Sequence, residues 1–179
     1  FSMFKKMGRI IKIKFIVFFV LIPIFCNAEV KPPFKNISVS KNPIYYEDIL
    51  FEDFDGKIIN LKQKNSKIYV LNFWATWCLP CKEEMPYLDK LQLNKNIEVF
   101  PINIGPKDQL KTKIFFRSLE IKNLSIFFDS ENKLVNLFRL RGIPTTIILN
   151  SDKNEVARII GAVDVSDERF IKWIESLLG

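Results

Sequence analysis

Two cysteines three positions apart, in Trp77-Cys78-Leu79-Pro80-Cys81, are the residues of this sequence best placed to do chemistry. The apolar run 68–74 precedes them, and the amphipathic stretch opening Lys82-Glu83-Glu84-Met85-Pro86 follows. They therefore stand where a buried strand hands over to a helix. At such a junction free backbone N–H groups and the positive end of the helix dipole favour a thiolate. A thiol so placed can drop from a pKa of roughly 8.5 into the range of about 3.5–7.5. Cysteines at this spacing on a first helical turn can close a small disulfide ring. Cys78, at the mouth, is the expected attacking thiol, and Cys81, one turn in, the resolving one.

Other uses of a Cys-x-x-Cys pair find less support. A structural zinc site needs about four ligands, and this sequence has three cysteines and no histidine. Haem attachment needs histidine after the second cysteine, where Lys82 stands. An inert disulfide remains the bland alternative, although so short a loop stabilises weakly. The absence of histidine also excludes His-ligated metals and His-based triads. No cofactor and no metal are implied.

The net charge of +7 is unevenly spread. Residues 1–28 carry Lys5, Lys6, Arg9, Lys12 and Lys14 and no acid. Setting those five aside leaves 22 basic against 20 acidic residues, so the body is near neutral and shows no nucleic-acid footprint. The basic stretch leads into residues 15–28, which are uncharged and end in Cys26-Asn27-Ala28. That order predicts a secretory signal cleaved after Ala28. An uncleaved membrane anchor is the rival, but the run falls short of the roughly 20 residues a span needs and contains Pro23. Phe25 before Cys26 is too bulky for the usual lipoprotein signal. Export leaves only Cys78 and Cys81, in a compartment where disulfides persist.

Residues 29–43 lack periodicity and read as a linker, so the expected division is signal 1–28, linker 29–43 and domain 44–179. Residues 49–54 and 57–61 flank Asp55-Gly56, a hairpin signal. Strands are expected at 67–73, 97–104, 124–128, 145–149 and 156–160. Helices are expected from Cys78 to about residue 93, bent at Pro86, and at 108–119, 132–138 and 166–178. In the second, Leu110, Ile114 and Phe115 or Phe116 should face inward; in the last, Ser166 is the expected N-cap. The alternation predicts an α/β domain: a mixed central sheet flanked by helices on both faces, with an N-terminal β-hairpin.

Three motifs carry a resemblance over roughly residues 44–179: Asn72-Phe73-Trp74-Ala75-Thr76-Trp77-Cys78-Leu79-Pro80-Cys81, Glu84-Met85-Pro86, and Gly142-Ile143-Pro144-Thr145-Thr146. The chain resembles the thioredoxin-like superfamily, and within it the exported TlpA/ResA-type thiol:disulfide oxidoreductases. The resemblance implies a thioredoxin-like fold, a redox-active Cys78–Cys81 disulfide and a cis bond between Ile143 and Pro144. That bond would turn the Ile143 backbone outward beside Cys78, with Trp77, Leu79 and Pro80 completing a substrate groove. Thioredoxin itself has an acid on the strand before the active site, where this chain has Asn72. In TlpA/ResA-like proteins a helix glutamate handles the proton, and Glu84 matches it. Burial near Cys81 would raise the pKa of that carboxyl.

The implied function is reduction of disulfides in extracytoplasmic, periplasmic clients, such as apocytochromes c or oxidase-assembly factors. A membrane-embedded thiol donor would recharge the pair, and the N-terminal segment could tether the protein to the inner membrane. Two rivals stand beside it: a thiol peroxidase on the same fold, and a non-catalytic binding module that uses the groove beside Pro144.

Overall fold

The centre of the molecule is a strand buried on both faces. In the structure, a computed structural model that describes residues 31–177, β4 (Ile68–Trp74) is buried at all seven positions. A strand covered on both faces reads as continuously apolar rather than alternating. Asn72 is the one exception in its sequence. Around it run β1 (Ile37–Tyr45), β2 (Leu50–Asp53), β3 (Ile58–Asn60), β5 (Ile97–Ile104), β6 (Phe127–Asp129), β7 (Thr145–Asn150) and β8 (Asn154–Ile160). They form one eight-stranded sheet in the order β1-β8-β7-β4-β5-β6-β2-β3. β4, β5 and β6 pair parallel, and the other pairings are antiparallel. This is the expected mixed sheet, and the Asp55-Gly56 hairpin forms its far edge.

Among the described residues four α-helices cover the sheet: α1 (Leu79–Leu91), α2 (Gln109–Ser118), α3 (Lys133–Leu137) and α4 (Glu168–Ser176). Val70 and Trp74 of β4 point to one face, into a cluster with Met85 and Leu88 of α1, Phe115 and Phe116 of α2, and Phe170 and Trp173 of α4. Tyr69, Leu71 and Phe73 point to the other, against Phe100, Leu134 and Phe138. The period of two along the strand thus feeds two separate cores. Each large apolar side chain so buried contributes about 1.5–3 kcal/mol. α1 runs on through Pro86, its internal proline.

Three expectations are corrected. Residues 37–43, read as linker, belong to β1, which pairs antiparallel with β8 through Ile37–Ile159, Ser38–Arg158 and Val39–Ala157. An edge strand of this kind buries little, and its pairing rests on backbone groups that composition does not reveal. The signal 1–28 lies outside the described residues. On α2, Leu110 and Ile114 face outward and Thr112, Phe115 and Phe116 face in. The two rings pack on Trp74, with Phe115 at 4.6 Å and Phe116 at 5.6 Å between centroids, and Thr112 hides its hydroxyl by donating to the Asp108 carbonyl at 2.7 Å. The α4 cap is Asp167, which accepts from the Arg169 N–H at 2.7 Å, while Ser166 donates to Asp164.

Candidate active site

Register assembles the site. On β4 and β7, Phe73 stands opposite Thr145 and Asn72 opposite Thr146. Pro144, just before Thr145, is thereby set beside the end of β4, where the chain turns into the cysteine motif. The Ile143–Pro144 bond is cis. The Pro144 carbonyl accepts from the Gly161 N–H at 2.9 Å. Among the described residues, the backbone N–H and C=O of Ile143 take no partner. Its half-buried side chain packs against both cores, including the cluster that holds the two cysteines.

Cys78 is the N-cap of α1, and its Sγ accepts the Cys81 N–H at 3.2 Å. That sulfur occupies the place a capping oxygen would take. Once reduced, it has both a donor and the helix dipole to favour its thiolate. Pro80 sits in the first turn, where a missing N–H costs no helical bond. Cys78 and Cys81 form a disulfide, with Cα atoms 5.3 Å apart. Cys78 is 6% exposed and Cys81 1%, so the outer sulfur is the one an incoming thiolate meets first. Trp77, 78% exposed, Leu79 and Pro80 stand out around it as an apolar rim.

Glu84 lies one turn beyond Cys81 on α1 and is 1% exposed. Its Oε1 accepts from the Val163 N–H at 3.3 Å and its Oε2 from Asn72 Nδ2 at 3.0 Å. Burial pushes its pKa up to about 7, and the two donated bonds oppose that rise. Asn72 Nδ2 also donates to Thr146 Oγ1 at 2.9 Å, while its Oδ1 is buried without a partner among the described residues. The structure therefore brings together Cys78, Cys81, Glu84, Ile143 and Pro144. It adds Asn72, Thr146 and Val163, which the sequence reading gave no role. The available signal was Asn72, a polar residue in an otherwise apolar buried run. Among the described residues no group of three or more acids or cysteines could hold a metal ion.

The arrangement is equipped for thiol–disulfide exchange: a capped outer sulfur, an inner sulfur joined to it, and a buried carboxyl able to exchange a proton near neutrality. Comparisons with known proteins agree with the fold. The putative thiol:disulfide interchange protein DsbE from Chlorobium tepidum superposes with a TM-score of 0.64 at 20% identity, over 79% of this chain and all of that one. A DsbF homologue from Corynebacterium diphtheriae does so with a TM-score of 0.66 at 25% identity, over 82% and 96%. ResA of Bacillus cereus, named a thiol-disulfide oxidoreductase, is 31% identical over 112 residues, 61% of this chain and 64% of its own length. The ResA of Geobacillus kaustophilus is 32% identical over 134 residues, 73% of this chain and 74% of its own. Residues 45–158 match the model of the AhpC/TSA family, and with so much of its sheet and its whole cysteine motif inside that match, the chain belongs to this thioredoxin-like family.

Proposed function

We propose that the protein is an extracytoplasmic thiol:disulfide oxidoreductase that reduces disulfides in client proteins. The observation that carries this is the Cys78–Cys81 disulfide at the start of α1, with the Cys81 N–H directed at the Cys78 sulfur. The name thiol-disulfide oxidoreductase borne by the ResA relatives supports it. In the reduced protein, the Cys78 thiolate attacks one sulfur of a client disulfide, and the other sulfur leaves as a thiolate. Cys81 then loses its proton to Glu84 and attacks the Cys78 sulfur, which expels the second client thiolate. The client gains two electrons and ends as a dithiol, and the protein is left oxidised. The unpaired Ile143 backbone gives an extended client segment an edge to pair with. A membrane-embedded thiol donor restores the dithiol. Among the described residues no helix is long and apolar enough to cross a membrane.

Replacing the resolving thiol tests this directly. Cys81→Ser should accumulate a mixed disulfide between Cys78 and a client, released by dithiothreitol and visible on a non-reducing gel. Cys78→Ser should form none and should lose disulfide reductase activity entirely. Unimpaired function of Cys78→Ser in cells would point instead to a binding module. Rapid peroxide consumption by the reduced protein, without disulfide reduction, would point to a peroxidase.

A further inference from the structure

A cavity of about 590 Å³ opens beside Gly142 and Thr145, on the α3 face of the sheet. Ile44, Leu137, Phe138 and Ile160 supply apolar walls. Arg158 lies in the wall with its charge already engaged: its guanidinium donates to both Glu155 carboxylate oxygens, at 2.8 and 2.9 Å, and to the Phe138 carbonyl at 2.8 Å. Tyr46 donates its hydroxyl to the same Glu155 at 2.7 Å. Two further guanidiniums stand at the rim. Arg139 and Arg141 are exposed, line the cavity, and form no ion pair among the described residues. Among the described residues no acid lines the cavity to offset them.

The position of Arg139 is fixed by the backbone. It follows α3 in the left-handed region, with φ of 51°, while the next N–H, that of Leu140, reaches back to the Val135 carbonyl at 3.0 Å. Glycine usually fills this helix-ending position because it adopts that conformation without strain. Here the chain puts a long cationic side chain there, at the mouth of an apolar recess. Guanidinium suits carboxylate, which it can hold by two parallel hydrogen bonds, and Ile44, Leu137 and Ile160 leave exposed apolar surface beside the two arginines. Gly142 and Thr145, which line the cavity, flank Ile143 and Pro144 in the chain, so the opening adjoins the segment that carries the unpaired Ile143 backbone.

We propose that the cavity is a client-selecting subsite, taking an acidic residue and an adjacent apolar one from the client segment that lies along Ile143. This rests on the thiol:disulfide reading above. The subsite would favour clients whose reactive cysteine has acidic and apolar neighbours, and disfavour those with basic ones.

The test uses the reduced full chain and three disulfides. One is a peptide disulfide with Glu and Leu near its cysteine, the second the same peptide with Lys for Glu, and the third neutral hydroxyethyl disulfide. Each is reacted with the wild type, with Arg139→Gln/Arg141→Gln and with Arg139→Glu/Arg141→Glu. The charge-reversed protein should react about tenfold or more slowly with the Glu peptide and faster with the Lys peptide, the neutralised one falling between. Added salt should slow the wild-type reaction with the Glu peptide. Hydroxyethyl disulfide should react equally with all three proteins, showing that fold and thiols are intact. Equal changes for both peptides, or no change for either, overturn the subsite. If wild type reacts with none of the three, the oxidoreductase reading falls and the subsite falls with it.

Discussion

Glu84 owes its character to neighbours that hold it incompletely. A carboxyl buried this deeply prefers to be neutral, and two donated hydrogen bonds only partly restore its preference for charge. Its pKa, about 7 in the folded oxidised protein against an ordinary 4.5, links protonation to stability. Because the folded value is raised, the stabilisation is fully present below pH 4.5 and is lost as pH rises through about 7. On the order of 3 kcal/mol should disappear across that window. Urea unfolding of the oxidised protein at several pH values, compared with Glu84→Gln, should show this as a difference that shrinks as pH rises; a constant difference would mean an ordinary carboxyl. Asn72→Leu removes a donor that favours the carboxylate, so the midpoint of the difference curve should move up. The two cysteines, Glu84, Ile143 and Pro144 stand out in the sequence because motif and spacing mark them. Thr146 and the Val163 N–H could not, since their roles arise only when strand register and the loop before α4 bring them to Asn72 and Glu84.

At the scale of elements, α1 must be held still for its first turn to present the cysteines. Asp89, near its far end, is one anchor: its Oδ1 accepts from the N–H groups of Lys122, Asn123 and Leu124 at 3.2, 2.7 and 3.1 Å, and its Oδ2 from Asn123 Nδ2 at 2.9 Å. One carboxylate thus ties the helix to the segment between α2 and β6. Asp89→Ala would strip the partner from three backbone donors at once; each left unsatisfied away from water costs about 1–3 kcal/mol, but Lys122 and Asn123 are exposed, so water replaces part of that loss. We expect a loss of about 2–4 kcal/mol in urea unfolding, with faster hydrogen exchange at residues 122–124. An unchanged midpoint would show that solvent replaces those bonds freely. The sequence contains an acid at this position, but nothing in its spacing says that it reaches 33–35 residues ahead. The inward face of α2 was hidden for a related reason. Leu110 with Ile114 and Phe115 with Phe116 define competing stripes on one helix, and Trp74, from a different element, decides between them.

For the molecule as a whole, the sheet continues one strand further than the composition of the chain suggests. β1 covers β8, which would otherwise be an edge beside the proposed client subsite. The segment before it is docked too: Asn36 Nδ2 donates to the Ile160 carbonyl at 3.0 Å, the Ile160 N–H donates to the Asn36 carbonyl at 3.2 Å, and Phe34 stacks on Phe170 with centroids 6.5 Å apart. A protein beginning after residue 45 would lose all of these contacts and uncover the donors and acceptors of β8. Exposed strand edges recruit other chains. The truncated protein should therefore unfold at a lower temperature and form oligomers or aggregates in size-exclusion chromatography. Its disulfide should still form in whatever monomer remains, because Cys78 and Cys81 depend on β4 and α1. A truncated protein as stable and monomeric as the full chain would return residues 37–43 to the status of a tether. The reason to expect otherwise is that strand pairing is written in backbone groups, which every residue but proline carries alike, so a polar, lysine-bearing edge strand looks in sequence much like a linker.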